Sequence, residues 1–224
     1  MGSRRDGKGV FALATGGGKD ATLALHRVRR TGLQVPLAFT MHHRESGRVR
    51  LHGVPEELLR VQARALGMEL MTGSAGDGDY EAIYGDLLDR MVERGMDGVV
   101  YGNIHLADVR AWYEERTRKR GFQHREPLWG QEPGALVREF IEAGYRATVT
   151  GVNLESGNAE WLGREVDLEF VGEVEATGAD PGGERGEYHT FVWDGPEFRD
   201  TVPFRADSYT EVMGHRVLAL ALSE

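Results

Sequence analysis

The sequence predicts an α/β protein, a doubly wound parallel sheet with helices on both faces, followed by a smaller C-terminal α+β domain. Three observations predict it. Over the first 125 or so residues, short apolar runs alternate with amphipathic stretches at helical spacing. The first apolar run, "GVFALAT", stops at three glycines, and "KDATLALHRVRRTG" follows as a helix ending at Gly32. Beyond residue 125 the alternation gives way to two helices and a group of hairpin-like strands. A soft boundary therefore divides the chain into 1–125 and 126–224, with no long linker between the halves.

The elements follow in order. "VPLAFTMHH" reads as a second strand, and "PEELLRVQARALG" as a helix with proline in its first turn and glycine after its end. "MELMTG" is a third strand and "DYEAIYGDLLDRMVERG" a long amphipathic helix with a glycine stop. "DGVVYG" is a fourth strand, followed by the helix "LADVRAWYEERTRKRG". In the second part, "EPGALVREFIEAG" is a helix, "YRATVTGVN" a strand and "REVDLEFVGEVEATG" another helix. "EYHTFVWDG", the stretch around "RDTVPFRADSYTEV" and "HRVLALAL" read as hairpin strands, preceded by the glycine-rich loop "GADPGGERGEYHT".

Composition narrows the function. A chain of 224 residues with 40% hydrophobic residues can bury an adequate core. No apolar stretch nears the roughly 18 residues of a membrane helix. The basic start "MGSRRDGKG" has no apolar signal segment behind it, so a cytoplasmic protein is expected. Cysteine is absent, which removes disulfides, thiolate catalysis and cysteine-ligated metal. A net charge of −9 argues against a protein that grips a nucleic-acid backbone directly. The basic runs "HRVRRTG" and "ERTRKRG" lie on helices and read as solvated faces.

Four readings of the glycine turn compete. A P-loop needs Ser or Thr after its lysine to ligate magnesium, and here Lys19 precedes Asp20. A dinucleotide fingerprint fits "GGGKDA" as G-x-G-x-x-A, but it wants an acid after the second strand, where this chain has "MHH". A plain strand-to-helix turn is the bland alternative. The fourth is the pyrophosphate loop of ATP pyrophosphatases, usually S-G-G-x-D-S. In it, glycine amides and the helix dipole face phosphates, lysine adds a charge and the aspartate holds the Mg2+ of ATP. This chain keeps the glycines, Lys19 and Asp20, but has Gly16 and Ala21 where that pattern has serine, with Thr15 just before.

"ATGGGKDATLAL", "LHGVPEELLRVQARALGMEL", "YGNIHLADVRAWYE", "PLWGQEPGALVREFIEAGYRATV", "WLGREVD" and "GERGEYHTFVWDGPEF" occur in this order. Together they resemble the diphthine–ammonia ligase (diphthamide synthetase) family of pyrophosphate-loop ATP-binding proteins, over residues 10 to 200 or so, in a form that looks bacterial. The resemblance implies an adenine nucleotide alpha-hydrolase-like domain and a substrate-side domain. It also implies a reaction in which ATP activates a carboxylate as an acyl-adenylate and ammonia displaces AMP. The acceptor would be a small-molecule or protein carboxylate, distinct from diphthine in bacteria. A homodimer is expected for this fold. The family's E-G-G-E-Y-E-T loop reads "ERGEYHT" here, with Arg185 and His189 as departures, and its G-D-I is Gly102-Asn103-Ile104.

Site residues follow from these motifs. Thr15, Gly16, Gly17, Gly18, Lys19 and Asp20 would serve the nucleotide, with Asp20 also on the metal. Gly102 and Asn103 follow a strand's C-terminal end, where open α/β sheets place ligands. Glu184, Glu187 and His189 are the candidate catalytic residues, and Tyr188 and Trp129 the candidate substrate contacts. Arg110 and Glu114 are spaced for an i,i+4 ion pair. His42, His43 and His52 raise the question of a metal, but the first two alternate faces of a strand. The rival reading is a non-catalytic, ATP-binding regulatory module, favoured by the missing serines and by Asn103; a dinucleotide oxidoreductase is a weaker one.

Overall fold

A computed structural model describes residues 9–49 and 51–223 of the chain; the basic N-terminal stretch lies outside the described residues. The first sheet holds β1 (Val10–Ala14), β2 (Gln34–His43), β3 (Glu69–Ala75), β4 (Gly98–Val100) and β5 (Gln123–Arg125), in the order β3-β2-β1-β4-β5. All four of its pairings are parallel. The crossovers are α1 (Lys19–Arg30), α2 (Glu56–Ala65), α3 (Tyr80–Glu93) and α4 (Ala107–Lys119). The expected doubly wound α/β sheet is therefore present. The short, polar edge strand β5 is the element that periodicity misses, because three residues of Gln-His-Arg carry no apolar alternation.

The second sheet is antiparallel, ordered β7-β6-β9-β8, from β6 (Arg146–Asn153), β7 (Tyr188–Asp194), β8 (Phe204–Val212) and β9 (His215–Leu222). Helices α5 (Pro133–Glu142) and α6 (Leu168–Ala176) complete it. Glu132 caps α5 by accepting from Gly134 N–H and Ala135 N–H, and Asp167 caps α6 by accepting from Phe170 N–H, so both helix starts are locally encoded.

One apolar core joins the two halves. Phe11, Leu23 and Val28 from the first sheet and α1 lie in the same cluster as Phe140, Val149, Phe170 and Tyr188. A second cluster, with Tyr84, Leu88, Met91 and Val99, fills the opposite face under α3. A third, with Leu58, Leu59, Phe191 and Leu220, packs α2 against the antiparallel sheet. No described helix is long and apolar enough to cross a membrane.

At the seam sits Gln62, buried on α2. Its Nε2 donates to the Gly17 carbonyl at 2.9 Å and to the Val192 carbonyl at 2.6 Å. Losing both leaves a buried carbonyl short of a donor, at a cost of about 1–3 kcal/mol. Gln62→Leu is therefore expected to lower Tm by several degrees. An unchanged melting temperature by calorimetry would remove the seam from the list of stabilising contacts.

Candidate active site

The glycine turn leaves the C-terminal end of β1 between β1 and β4, the point where strand order reverses and open sheets take their ligands. Thr15 N–H still donates to the Phe39 carbonyl at 3.0 Å, continuing the ladder. The chain then folds back: Gly17 has φ +89°, a value that L side chains resist, and its N–H donates to Thr15 Oγ1 at 2.9 Å. Helix α1 starts at Lys19 with Gly18 as N-cap and no cap of its own. The missing cap comes from β7, where Thr190 Oγ1 accepts from Lys19 N–H at 3.0 Å. Two of the amides expected to face phosphate are thus met by threonine hydroxyls, while the helix dipole still points into the cleft.

A cavity of about 510 Å³ opens beside Thr15 and Gly16. Its walls include Phe39, Met41, Tyr80, Tyr84, Tyr101 and Tyr113. Tyr84 and Tyr101 share a hydrogen bond of 2.5 Å between hydroxyls. Tyr101 is stacked on Tyr113 and on His124, at centroid distances of 4.7 and 4.8 Å. Burial raises the hydroxyl pKa of Tyr84, Tyr101 and Tyr113, so this wall is neutral and aromatic.

Gly102 is a glycine because β4 ends against the start of α1: a Cβ there would lie 2.6 Å from the Ala21 nitrogen. Asn103 Nδ2 donates to the Leu106 carbonyl at 3.2 Å and to Glu126 Oε1 at 3.4 Å. The Glu126 side chain is only 2% exposed and meets His124 Nε2 at 2.9 Å and Arg110 Nε at 3.3 Å. Arg110 thus pairs across to Glu126, and Glu114 pairs with Arg118 instead of Arg110. The i,i+4 expectation fails because a buried acid outbids a partly exposed one.

A second cavity, of about 480 Å³, adjoins the first and shares His52, Gly102 and Asn103 with it. Lys19, Asp20, Glu184, Tyr188, His189 and Thr190 line it. Lys19 is buried, its Nζ 3.0 and 2.9 Å from the two Asp20 oxygens and 5.3 Å from the Tyr188 ring centre. Burial works against its ammonium, but Asp20, Tyr188 and Glu184 outweigh that and hold its pKa above the usual value. Glu184 is pushed up to about 8, first by burial and then by the Asp20 carboxylate. Burial, then His52 and His215, hold His189 well below the usual imidazole range. Its Nε2 is buried with no hydrogen-bond partner among the described residues.

Three expected residues take other places. Glu187 is 2% exposed, and its oxygens accept from Asp180 N–H at 3.1 Å and Arg185 N–H at 3.0 Å. It organises the loop and does not line the second cavity. The Tyr188 hydroxyl donates to the Pro181 carbonyl at 2.6 Å, so the ring, not the hydroxyl, faces the site. Trp129 lies outside both cavities, its ring 4.3 Å from the Arg110 guanidinium carbon. A single tryptophan in "PLWG" cannot disclose which way it packs. His52, which the sequence raises only as a metal question, lines both cavities instead. Burial holds its pKa below the usual value, and its Nδ1 meets the Thr190 carbonyl at 3.1 Å. Among the described residues, no group of three His, Cys, Asp or Glu side chains is arranged to hold a metal ion.

Family models match both halves of the chain. The model of the diphthamide synthase N-terminal domain matches residues 9–124, and that of the C-terminal domain residues 132–214. No curated protein matches. Among solved structures, the chain is similar to the U34-tRNA thiolase NcsA from Methanococcus maripaludis with its 4Fe-4S cluster, at 16% identity and a TM-score of 0.37. That alignment covers 61% of this chain and 58% of the other, so this chain spans less than two thirds of it. This chain has no cysteine to hold such a cluster. With the first match spanning the glycine turn and the first cavity, and the second the loop that carries Glu184, the chain belongs to the diphthamide synthase family.

Proposed function

We propose that the protein uses ATP to activate a carboxylate as an acyl-adenylate and passes the acyl group to ammonia, releasing AMP and pyrophosphate. The observation that carries this reading is the pair of adjoining cavities with the glycine turn between them. The aromatic wall of the first cavity suits an adenine ring, and the neighbouring charged cavity suits phosphates and an acceptor. Lys19 would meet the outer phosphates. Asp20, the carboxylate that follows Lys19, would hold a Mg2+ ion that arrives with the nucleotide and keeps water and phosphate ligands. When bound, that ion neutralises charge on the phosphates.

Glu184 is the residue suited to move a proton. A carboxyl titrating near neutrality can accept a proton from the attacking amine and return it to water. His189, whose buried Nε2 has no partner among the described residues, lines the same cavity and would orient the acceptor. The acceptor class, a small-molecule or protein carboxylate, the homodimer and a cytoplasmic location belong to this proposal.

The alternative is a module that binds ATP without turning it over. Position 16 and position 21 carry no hydroxyl, and Thr15 and Thr190 already satisfy two loop amides. Calorimetry and product analysis separate the readings. Cleavage to AMP and pyrophosphate with a carboxylate acceptor supports the ligase; binding with no cleavage across an acceptor panel supports the module. ADP as the main product would overturn both the adenylation and the pyrophosphate-loop assignment.

Two further outcomes are expected. Lys19→Met should weaken ATP by roughly 10-fold or more while leaving AMP nearly unaffected, because the lost charge faces the outer phosphates. Equal losses for both nucleotides would put the phosphates elsewhere. Glu184→Gln should lower kcat/KM for amide formation by roughly 100- to 10,000-fold.

The same residue has a signature that needs no acceptor. The folded carboxyl binds its proton more tightly than the unfolded one, so its contribution to stability is complete below about 4.5 and is lost as pH rises through about 8. The Tm of Glu184→Gln should therefore gain on that of the wild type between pH 5 and pH 9. A constant difference across that range would contradict the burial and charge crowding assigned to Glu184.

A further inference from the structure

We infer that His52 is a phosphate-contacting residue of the nucleotide site, its Nε2 standing where a side chain at position 16 would stand. This rests on the proposed nucleotide reading and adds to it a residue from outside the glycine turn. The argument begins with space. An ideal Cβ built on Gly16 lies 3.1 Å from His52 Nε2 and 3.2 Å from its Cδ2, and one on Gly18 lies 3.1 Å from Cε1. The imidazole therefore occupies the side-chain volume that the turn leaves empty at both positions.

Orientation supplies the second step. Nδ1 faces the Thr190 carbonyl at 3.1 Å, so Nδ1 carries the proton of the neutral ring and Nε2 is the edge turned toward Gly16. The ring is one of three residues shared by the two cavities, and so lies where a phosphate chain would pass from one to the other. The third step is need. Gly17 N–H and Lys19 N–H are already bound to Thr15 Oγ1 and Thr190 Oγ1, and the Lys19 ammonium to Asp20. A donor brought by another element restores what the turn has given to its own neighbours.

The groups facing the ring are Lys19 and Asp20 of α1, the Thr190 carbonyl of β7 and the His189 ring, 4.9 Å away between centroids. Burial disfavours the charged form of this imidazole. An arriving polyphosphate supplies the negative charge that draws a second proton from solvent onto Nε2, which then donates to a phosphate oxygen. ATP binding near pH 7 therefore takes up a proton.

Asparagine can keep the Nδ1-type bond to Thr190 while removing the atom at Nε2, and glutamine places an amide nitrogen near Nε2. The test measures ATP and AMP binding to the full-length protein by calorimetry in two buffers of different ionisation enthalpy. His52→Asn is expected to weaken ATP by roughly 10- to 100-fold, to leave AMP within a few-fold and to abolish the proton uptake. His52→Gln should retain more ATP affinity than His52→Asn. Gly16→Ser alone should impair binding, because its Cβ meets the ring, and the double variant Gly16→Ser/His52→Ala should bind ATP better than His52→Ala alone. Melting curves identify a variant that fails to fold, and the glutamine and double variants then decide.

ATP affinity unchanged in His52→Asn overturns the inference while leaving the nucleotide site standing. So does a double variant no better than His52→Ala. Wild-type protein that binds no adenine nucleotide overturns both.

Discussion

The arrangement of the site depends on the docking of β7 against the glycine turn. Val192 N–H donates to the Gly17 carbonyl at 2.9 Å, Thr190 Oγ1 takes Lys19 N–H, and Gln62 bridges the Gly17 and Val192 carbonyls. These bonds fix the rotation of a strand whose residues alternate faces. Tyr188, Thr190 and Val192 turn toward α1, which puts the Tyr188 ring beneath the Lys19 ammonium. His189 and Phe191 turn the other way, toward His52 and the α2 cluster. A strand slipped by one residue would exchange these sets and dismantle the second cavity.

That docking also creates the electrostatics. It closes the loop around Glu184 over a helix start that carries one buried cation, Lys19, and one acid, Asp20. Burial penalises the Glu184 carboxylate first, and the neighbouring Asp20, which has the closer contact with the Lys19 ammonium, adds to that. Glu184 therefore keeps its proton to higher pH. Glu187, three residues on, accepts instead from two backbone amides, those of Asp180 and Arg185. Two acids in one short motif thus have different chemistry, decided by what each oxygen touches.

Most of the fold was legible in the sequence, because the elements that make it are periodic and punctuated. Glycines mark helix ends through local backbone geometry, although the helix expected from Arg164 begins only at Leu168, after the Asp167 cap. Apolar runs such as "GVFALAT" can only be buried strands when they precede a glycine turn. The edge strand β5 escaped, since a three-residue polar strand at a sheet border is held by its neighbour's ladder and by nothing in its own side chains.

The site was legible only in part, and the division has a physical reason. Local pattern by itself determined the strand–glycine–helix turn, Lys19 and Asp20 at the helix start, Gly102 after β4 and the loop that carries Glu184, because each depends on residues a few positions apart. Tertiary structure alone decided which loop acid faces the cavity, that Tyr188 spends its hydroxyl on Pro181, that Trp129 packs on Arg110 and that Glu126 orients Asn103. It alone brought His52 against Gly16, across a separation of 36 positions that no spacing rule covers. A side chain's direction, burial and partner are properties of the packed interface between β7, α2 and the glycine turn, and that interface exists only after the two sheets have met.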